Sequence, residues 1–129
     1  MLRVVIVAVG VILSSVAAQA QYGARVALSG VPIVLGEYAS VNPDCTDAGR
    51  PTVRLTQNPE HGRLIISNAS IFPFFREANP RSSCNRRRVP GVVVKYVSQR
   101  GYTGTDSAGL EIFSSRGTAR TASFNIAVR

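Results

Sequence analysis

Between Ala122 and Val128 every second residue is apolar, with Ser123, Asn125 and Ala127 set between Ala122, Phe124, Ile126 and Val128. A period of two buries one face of a strand, whereas a helix needs a period of 3.6. The same period recurs three more times. Val53 and Leu55 alternate within Thr52–Thr56, and Val94 and Tyr96 turn inward within Val92–Ser98 while Lys95 turns outward. Ala108, Leu110 and Ile112 alternate with Gly109, Glu111 and Phe113. After the first twenty residues no segment offers ten residues at helical spacing. About seven or eight short strands with frequent turns therefore predict an all-β chain folded as an antiparallel β-sandwich.

The weaker segments fill in the order. Ala24–Leu28 and Pro32–Leu35, split by Ser29-Gly30, read as one interrupted edge strand or two half-strands, and Pro32 suits an edge. Glu37–Arg50 is polar and rich in turn residues. Asn58-Pro59-Glu60-His61-Gly62 is a turn by composition, and it predicts a hairpin between Thr52–Thr56 and Leu64–Ser67. Ser70–Phe75 contains Pro73 and reads as an edge or irregular segment. The last three strands are expected to form a continuous meander, turning at Ser115-Arg116-Gly117.

Residues 1–20 set the compartment. Arg3 precedes an apolar run from Val4 to Val16, and Ala18-Gln19-Ala20 supplies the small-x-small pattern of a cleaved secretory signal. The run is shorter than the ~20 residues a membrane span needs. The expected division is a signal peptide at 1–20 and one domain at 21–129, periplasmic or secreted and not membrane-spanning after cleavage. In an oxidising compartment Cys45 and Cys84, the two cysteines of the chain, are expected to form a disulfide. Metal-binding thiols are the alternative, disfavoured by a single histidine, His61, and by the lack of a Cys-x-x-Cys motif.

A glycine-punctuated stretch, Lys95-Tyr96-Val97-Ser98-Gln99-Arg100-Gly101-Tyr102-Thr103-Gly104-Thr105-Asp106-Ser107, reads as the end of one strand, a corner and the start of the next. Gly101 and Gly104 supply backbone freedom. Tyr102 is apolar enough to fold back under the sheet with its hydroxyl reaching a backbone group, and Asp106 is expected to accept from the turn's own amides. Together with Asn58-Pro59-Glu60-His61-Gly62-Arg63-Leu64, this stretch resembles bacterial immunoglobulin-like, cadherin-like repeats, over residues from about 52 to 129. Those repeats carry a P-x-H-G turn, then a Y-x-P-x-x-G-[FY]-x-G-x-D-[ST]-F corner. The resemblance implies an immunoglobulin-like sandwich serving as a binding, adhesion or spacer module, with His61 as a turn residue and Asp106 as a corner acceptor. The chain departs from the repeats at Ala108, where they have Phe, in the cysteine- and arginine-bearing insert before Tyr96, and in standing alone behind a signal. A lone, disulfide-bearing version of this kind is associated with uncharacterised envelope proteins of Gram-negative bacteria.

Catalytic chemistry finds little support. There is no nucleophile elbow, the acids are scattered, with Glu37 and Glu111 reading as ordinary solvated positions, and no cofactor is expected. Asp44, Asp47 and Asp106 are the only candidates for calcium, against a net charge of +8. The arginines have more edge. Arg76–Gly91 holds Arg76, Arg81, Arg86, Arg87 and Arg88 beside Cys84, and guanidinium groups grip phosphate and carboxylate bidentately. Solubility alone also accounts for a positive charge. The expected function is a non-catalytic binding module whose disulfide-fixed arginine loop contacts an anionic envelope component, such as lipopolysaccharide or peptidoglycan, or another envelope protein. Nucleic acid fits the charge but not the compartment. Phe72, Phe74 and Phe75 beside Arg76 would add an apolar contact surface if exposed. Two alternatives remain: assembly through an edge strand such as Ala24–Leu35, and inhibition of an exported hydrolase.

Overall fold

The computed structural model describes residues 24–129, so the segment read as a signal peptide lies outside the described residues. Seven strands form two sheets. They are β1 (Arg25–Ala27), β2 (Ile33–Tyr38), β3 (Thr52–Gln57), β4 (Gly62–Ile71), β5 (Val89–Ser98), β6 (Gly104–Phe113) and β7 (Ala119–Val128). One sheet runs β1-β7-β6-β3 and the other β2-β5-β4. All pairings are antiparallel except β1 with β7. A 3-10 turn, Ser82–Arg86, interrupts the strands, and no helix among the described residues is long and apolar enough to cross a membrane.

The strand order makes the chain an immunoglobulin-like β-sandwich with one disulfide, and it corrects two local expectations. Thr52–Thr56 and Leu64–Ser67 do not form a hairpin, because β3 pairs β6 while β4 pairs β5 in the opposite sheet. The last three strands are not a meander, because only β6 and β7 pair and β5 lies across the core from them. Both turns have sheet-to-sheet geometry that composition does not reveal: a crossover and a hairpin draw on the same Gly, Pro and Asn residues. The Ser29-Gly30 break is a third crossover, delivering β1 and β2 as two half-strands to different sheets.

The core follows the alternation. Tyr96, Leu110 and Val94 are wholly buried, and Ile126, Ala108, Leu35 and Ala27 nearly so. Leu35, Tyr96, Ile126 and Val128 gather at one end of the sandwich, and Tyr38, Val94, Leu110 and Ile112 at the other. Glu111 is not simply solvated: Arg54 bridges to it between paired positions of β3 and β6 and lies over the Phe113 ring.

Candidate functional site

Two features rise from this frame: a polar lock between the crossovers, and a lobe built around the disulfide. The lock centres on Asp106, near the start of β6. Its Oδ1 accepts from the Glu60 and Ser107 amides (3.0 and 2.9 Å), and its Oδ2 from the His61 amide and the Tyr96 hydroxyl (3.1 and 2.8 Å). Of the amides in its own stretch Asp106 accepts that of Ser107. It also pins the β3–β4 crossover to β6 and ties β5 to the opposite sheet through the Tyr96 side chain. Burial alone would raise the Asp106 carboxyl, but the Tyr96 hydroxyl and then the Glu60, Ser107 and His61 amides outweigh it and hold the group below the ordinary carboxylate value. Tyr96 moves the other way, raised first by burial and then by its bond to Asp106.

The β5–β6 corner is held separately. Gly101 and Gly104 sit at φ 84° and 140°, where a side chain is strained. At Gly104 an added Cβ would also meet the Tyr102 hydroxyl at 2.8 Å. That hydroxyl donates to the Thr105 carbonyl at 2.6 Å, and the Tyr102 ring stacks on His61 with centroids 4.0 Å apart. His61 is thus a packed turn residue. A depression of about 410 Å³ is lined by Glu60, Asn125 and Asp106, and both carboxylate oxygens of Asp106 are already engaged.

The lobe joins the β2–β3 and β4–β5 connections. Cys45 and Cys84 are bonded, and Cys84 packs with Val41 and Val89 in a small satellite core flanked by Ala39, Cys45 and Phe75. Arg81 belongs to this scaffold, since its Nε donates to the Val41 carbonyl at 3.0 Å. Arg81, one of the arginines expected to bind a ligand, is half-buried and braces the lobe through this bond. Asn85 clamps the next turn, accepting from the Phe75 amide and donating to the Phe75 carbonyl, both at 2.8 Å. Arg88 donates to the Ser70 carbonyl and covers the Phe72 ring at 4.5 Å. Arg76, Arg86 and Arg87 are exposed, and among the described residues none of the three forms an ion pair.

These contacts decide where the three phenylalanines go. Pro73 is buried and Phe75 is half-buried and clamped, so Phe74 between them is driven outward and is 89 % exposed. Phe72 is 49 % exposed beneath Arg88. Phe74 also stands at the mouth of a cleft of about 520 Å³ between the sheet ends, lined by Tyr38, Ile71, Phe75, Ile112 and Arg120. The Arg120 guanidinium lies over the Tyr38 ring there. Sequence reasoning missed both Asn85, whose polar side chain gave no sign that it would turn back onto the Phe75 backbone, and this cleft, whose lining residues come from distant parts of the chain.

The calcium candidates do not come together. Asp44 and Asp47 cap their own turn through Thr46 and Gly49, Asp106 sits in the lock, and no group of three His, Cys, Asp or Glu side chains gathers among the described residues. The Thr46 hydroxyl and amide hold the Asp44 carboxyl below its usual range.

Fold and lobe define an immunoglobulin-like sandwich that carries a disulfide-braced arginine and phenylalanine surface. In comparisons with known proteins, no family model, no curated protein and no solved structure matches the chain.

Proposed function

We propose that the protein is a non-catalytic, exported binding module, a relative of the bacterial cadherin-like repeats, whose arginine lobe contacts an anionic component of the cell envelope. Phe74 carries this reading. A phenylalanine 89 % exposed costs apolar hydration, and it is held outward by a buried proline on one side and a clamped backbone on the other. Arg76, Arg86 and Arg87 lie on the same β4–β5 connection, exposed and with no ion pair among the described residues. A surface combining exposed cations with an apolar tip suits an amphiphilic polyanion such as the phosphorylated glycolipid of an outer leaflet. Because the loop is already ordered by the disulfide and by Asn85, binding loses little conformational entropy.

The test is retention of the purified, oxidised protein on lipopolysaccharide and on peptidoglycan across a salt series. The comparison is between wild type, an Arg76→Ala/Arg86→Ala/Arg87→Ala variant and Phe74→Ser. Retention should weaken with salt in the wild type. The triple variant should lose most of it, and Phe74→Ser should lose the salt-resistant part on the glycolipid alone. Equal retention of wild type and the triple variant would overturn the reading.

A further inference from the structure

An exposed sheet edge presents unpaired backbone N–H and C=O groups to any passing strand, and natural sandwiches blunt such edges with brevity, proline, charge or a bulge. The two sheets have four edges, β1, β3, β2 and β4. Three are blunted. β1 is three residues long. β2 follows Pro32, carries Glu37 and is bulged between Val34 and Gly36. β3 lies between Pro51 and Pro59, carries Arg54 and is bulged between Leu55 and Gln57.

β4 is neither short nor bulged. It is ten residues long, pairs β5 without a bulge from Gly62 to Ile71, contains no proline and carries one charge, Arg63. It also sets two adjacent exposed apolar side chains in an unbroken ladder: Ile65 is 36 % and Ile66 39 % exposed, with Leu64 half-buried beside them, whereas the exposed Val26 and Val34 stand on the short β1 and at the bulge of β2.

We propose that β4 pairs antiparallel with β4 of a second copy of this chain, about a two-fold axis through Ile65, joining the two three-stranded sheets into one of six strands. Side chains alternate between faces, and a two-fold axis perpendicular to the sheet keeps each residue on its own face. The axis must therefore pass through a residue. Centred on Ile65, it sets Ile65 against its copy on the outer face and Leu64 against Ile66 on the inner face, so the exposed apolar side chains cover one another. Arg63 falls opposite Ser67, and no like charges meet. Centred on Ser67, the same strands would set Ile66 against Asn68 and Ile65 against Ala69, dispersing the cluster. The paired stretch, Gly62 to Asn68, stops before Ser70, whose carbonyl is taken by Arg88. The arginine lobe stays free, so self-pairing does not depend on the lobe's ligand.

Sedimentation velocity of the purified, oxidised protein from micromolar to submillimolar concentration tests this. A monomer–dimer equilibrium is expected, strengthened by salt because each copy carries a net positive charge, opposite in sign to anion binding by the lobe. Ile65→Lys, at a site already exposed, sets ammonium groups against one another across the axis and should weaken the dimer roughly tenfold or more without changing the melting temperature at concentrations where the wild type is monomeric. Val34→Lys on the β2 edge should leave it intact. Ile65→Cys should cross-link to its own copy under oxidation, whereas Val34→Cys should not. A protein that stays monomeric throughout, or a dimer that Ile65→Lys leaves unchanged, overturns the proposal.

Discussion

Asp106→Asn removes a charge with almost no change of volume, at a position where both carboxylate oxygens are used. Oδ1 takes the Glu60 and Ser107 amides, and Oδ2 takes the His61 amide and the Tyr96 hydroxyl. An asparagine side chain has one acceptor oxygen. If that oxygen replaces Oδ1, the new amide nitrogen faces the His61 N–H and the Tyr96 hydroxyl. The hydroxyl can rotate to accept, but the His61 N–H cannot. One orphaned N–H costs about 1–3 kcal/mol, and the surviving bonds lose charge assistance. The relief of burying a neutral amide offsets part of this, leaving a loss of about 2–4 kcal/mol. For a domain of this size that corresponds to a fall in Tm on the order of 10–20 °C. Urea denaturation at neutral pH reads the loss directly. The pH dependence gives a second signature. The folded carboxyl lies below its ordinary value of about 3.9, so its contribution is complete above that pH and disappears as pH falls through the folded value. The asparagine variant should lack that acid-sensitive component. A variant within about 0.5 kcal/mol of wild type, with the acid loss retained, would refute the assignment of Asp106 as the lock between the crossovers.

Tyr96→Phe removes the buried donor of the same lock and should cost about 1.5–3 kcal/mol, with non-additive loss in the Asp106→Asn/Tyr96→Phe double variant measured by urea denaturation. The wild type should also lose stability above about pH 10, the ordinary tyrosine value, until the raised folded value is reached. Tyr96→Phe should remove that alkaline loss. Cys45→Ser/Cys84→Ser opens a link between residues 39 apart, and the chain-entropy relation puts its contribution at about 4 kcal/mol, readable as a shift of the urea midpoint. Asn85→Ala strips both side-chain contacts from the Phe75 backbone. Amide exchange at Phe75 should accelerate while β5 and β6 stay protected, and unchanged exchange at Phe75 would show that the disulfide alone orders the loop.

Period-two alternation at Val53–Leu55, Val94–Tyr96, Ala108–Ile112 and Ala122–Val128 was enough to place four strands and their buried faces, because side-chain direction along a strand is a local property. The pairing of Cys45 with Cys84 was legible for a different reason, there being only two cysteines in a chain read as exported. Residue type left Ala24–Leu35 as one interrupted edge strand or two half-strands, and the structure has two; of Ser70–Phe75, read as an edge or irregular segment, Ser70 and Ile71 end the edge strand β4 and only Phe72–Phe75 is irregular. Partner choice was not legible. Whether the turns at Asn58–Gly62 and Gly101–Gly104 fold a strand back on its neighbour or carry it across the core depends on contacts between residues such as Glu60 and Asp106, 46 apart in the chain. The five arginines of the loop looked equivalent in sequence. Tertiary packing separated them, turning Arg81 to the Val41 carbonyl and Arg88 to Ser70 and Phe72, and leaving Arg76, Arg86 and Arg87 exposed. Alternation along the chain determined which face of each strand is buried. Only contacts between distant segments could decide which strands meet, which arginines are used up, and that Phe74 stands in solvent.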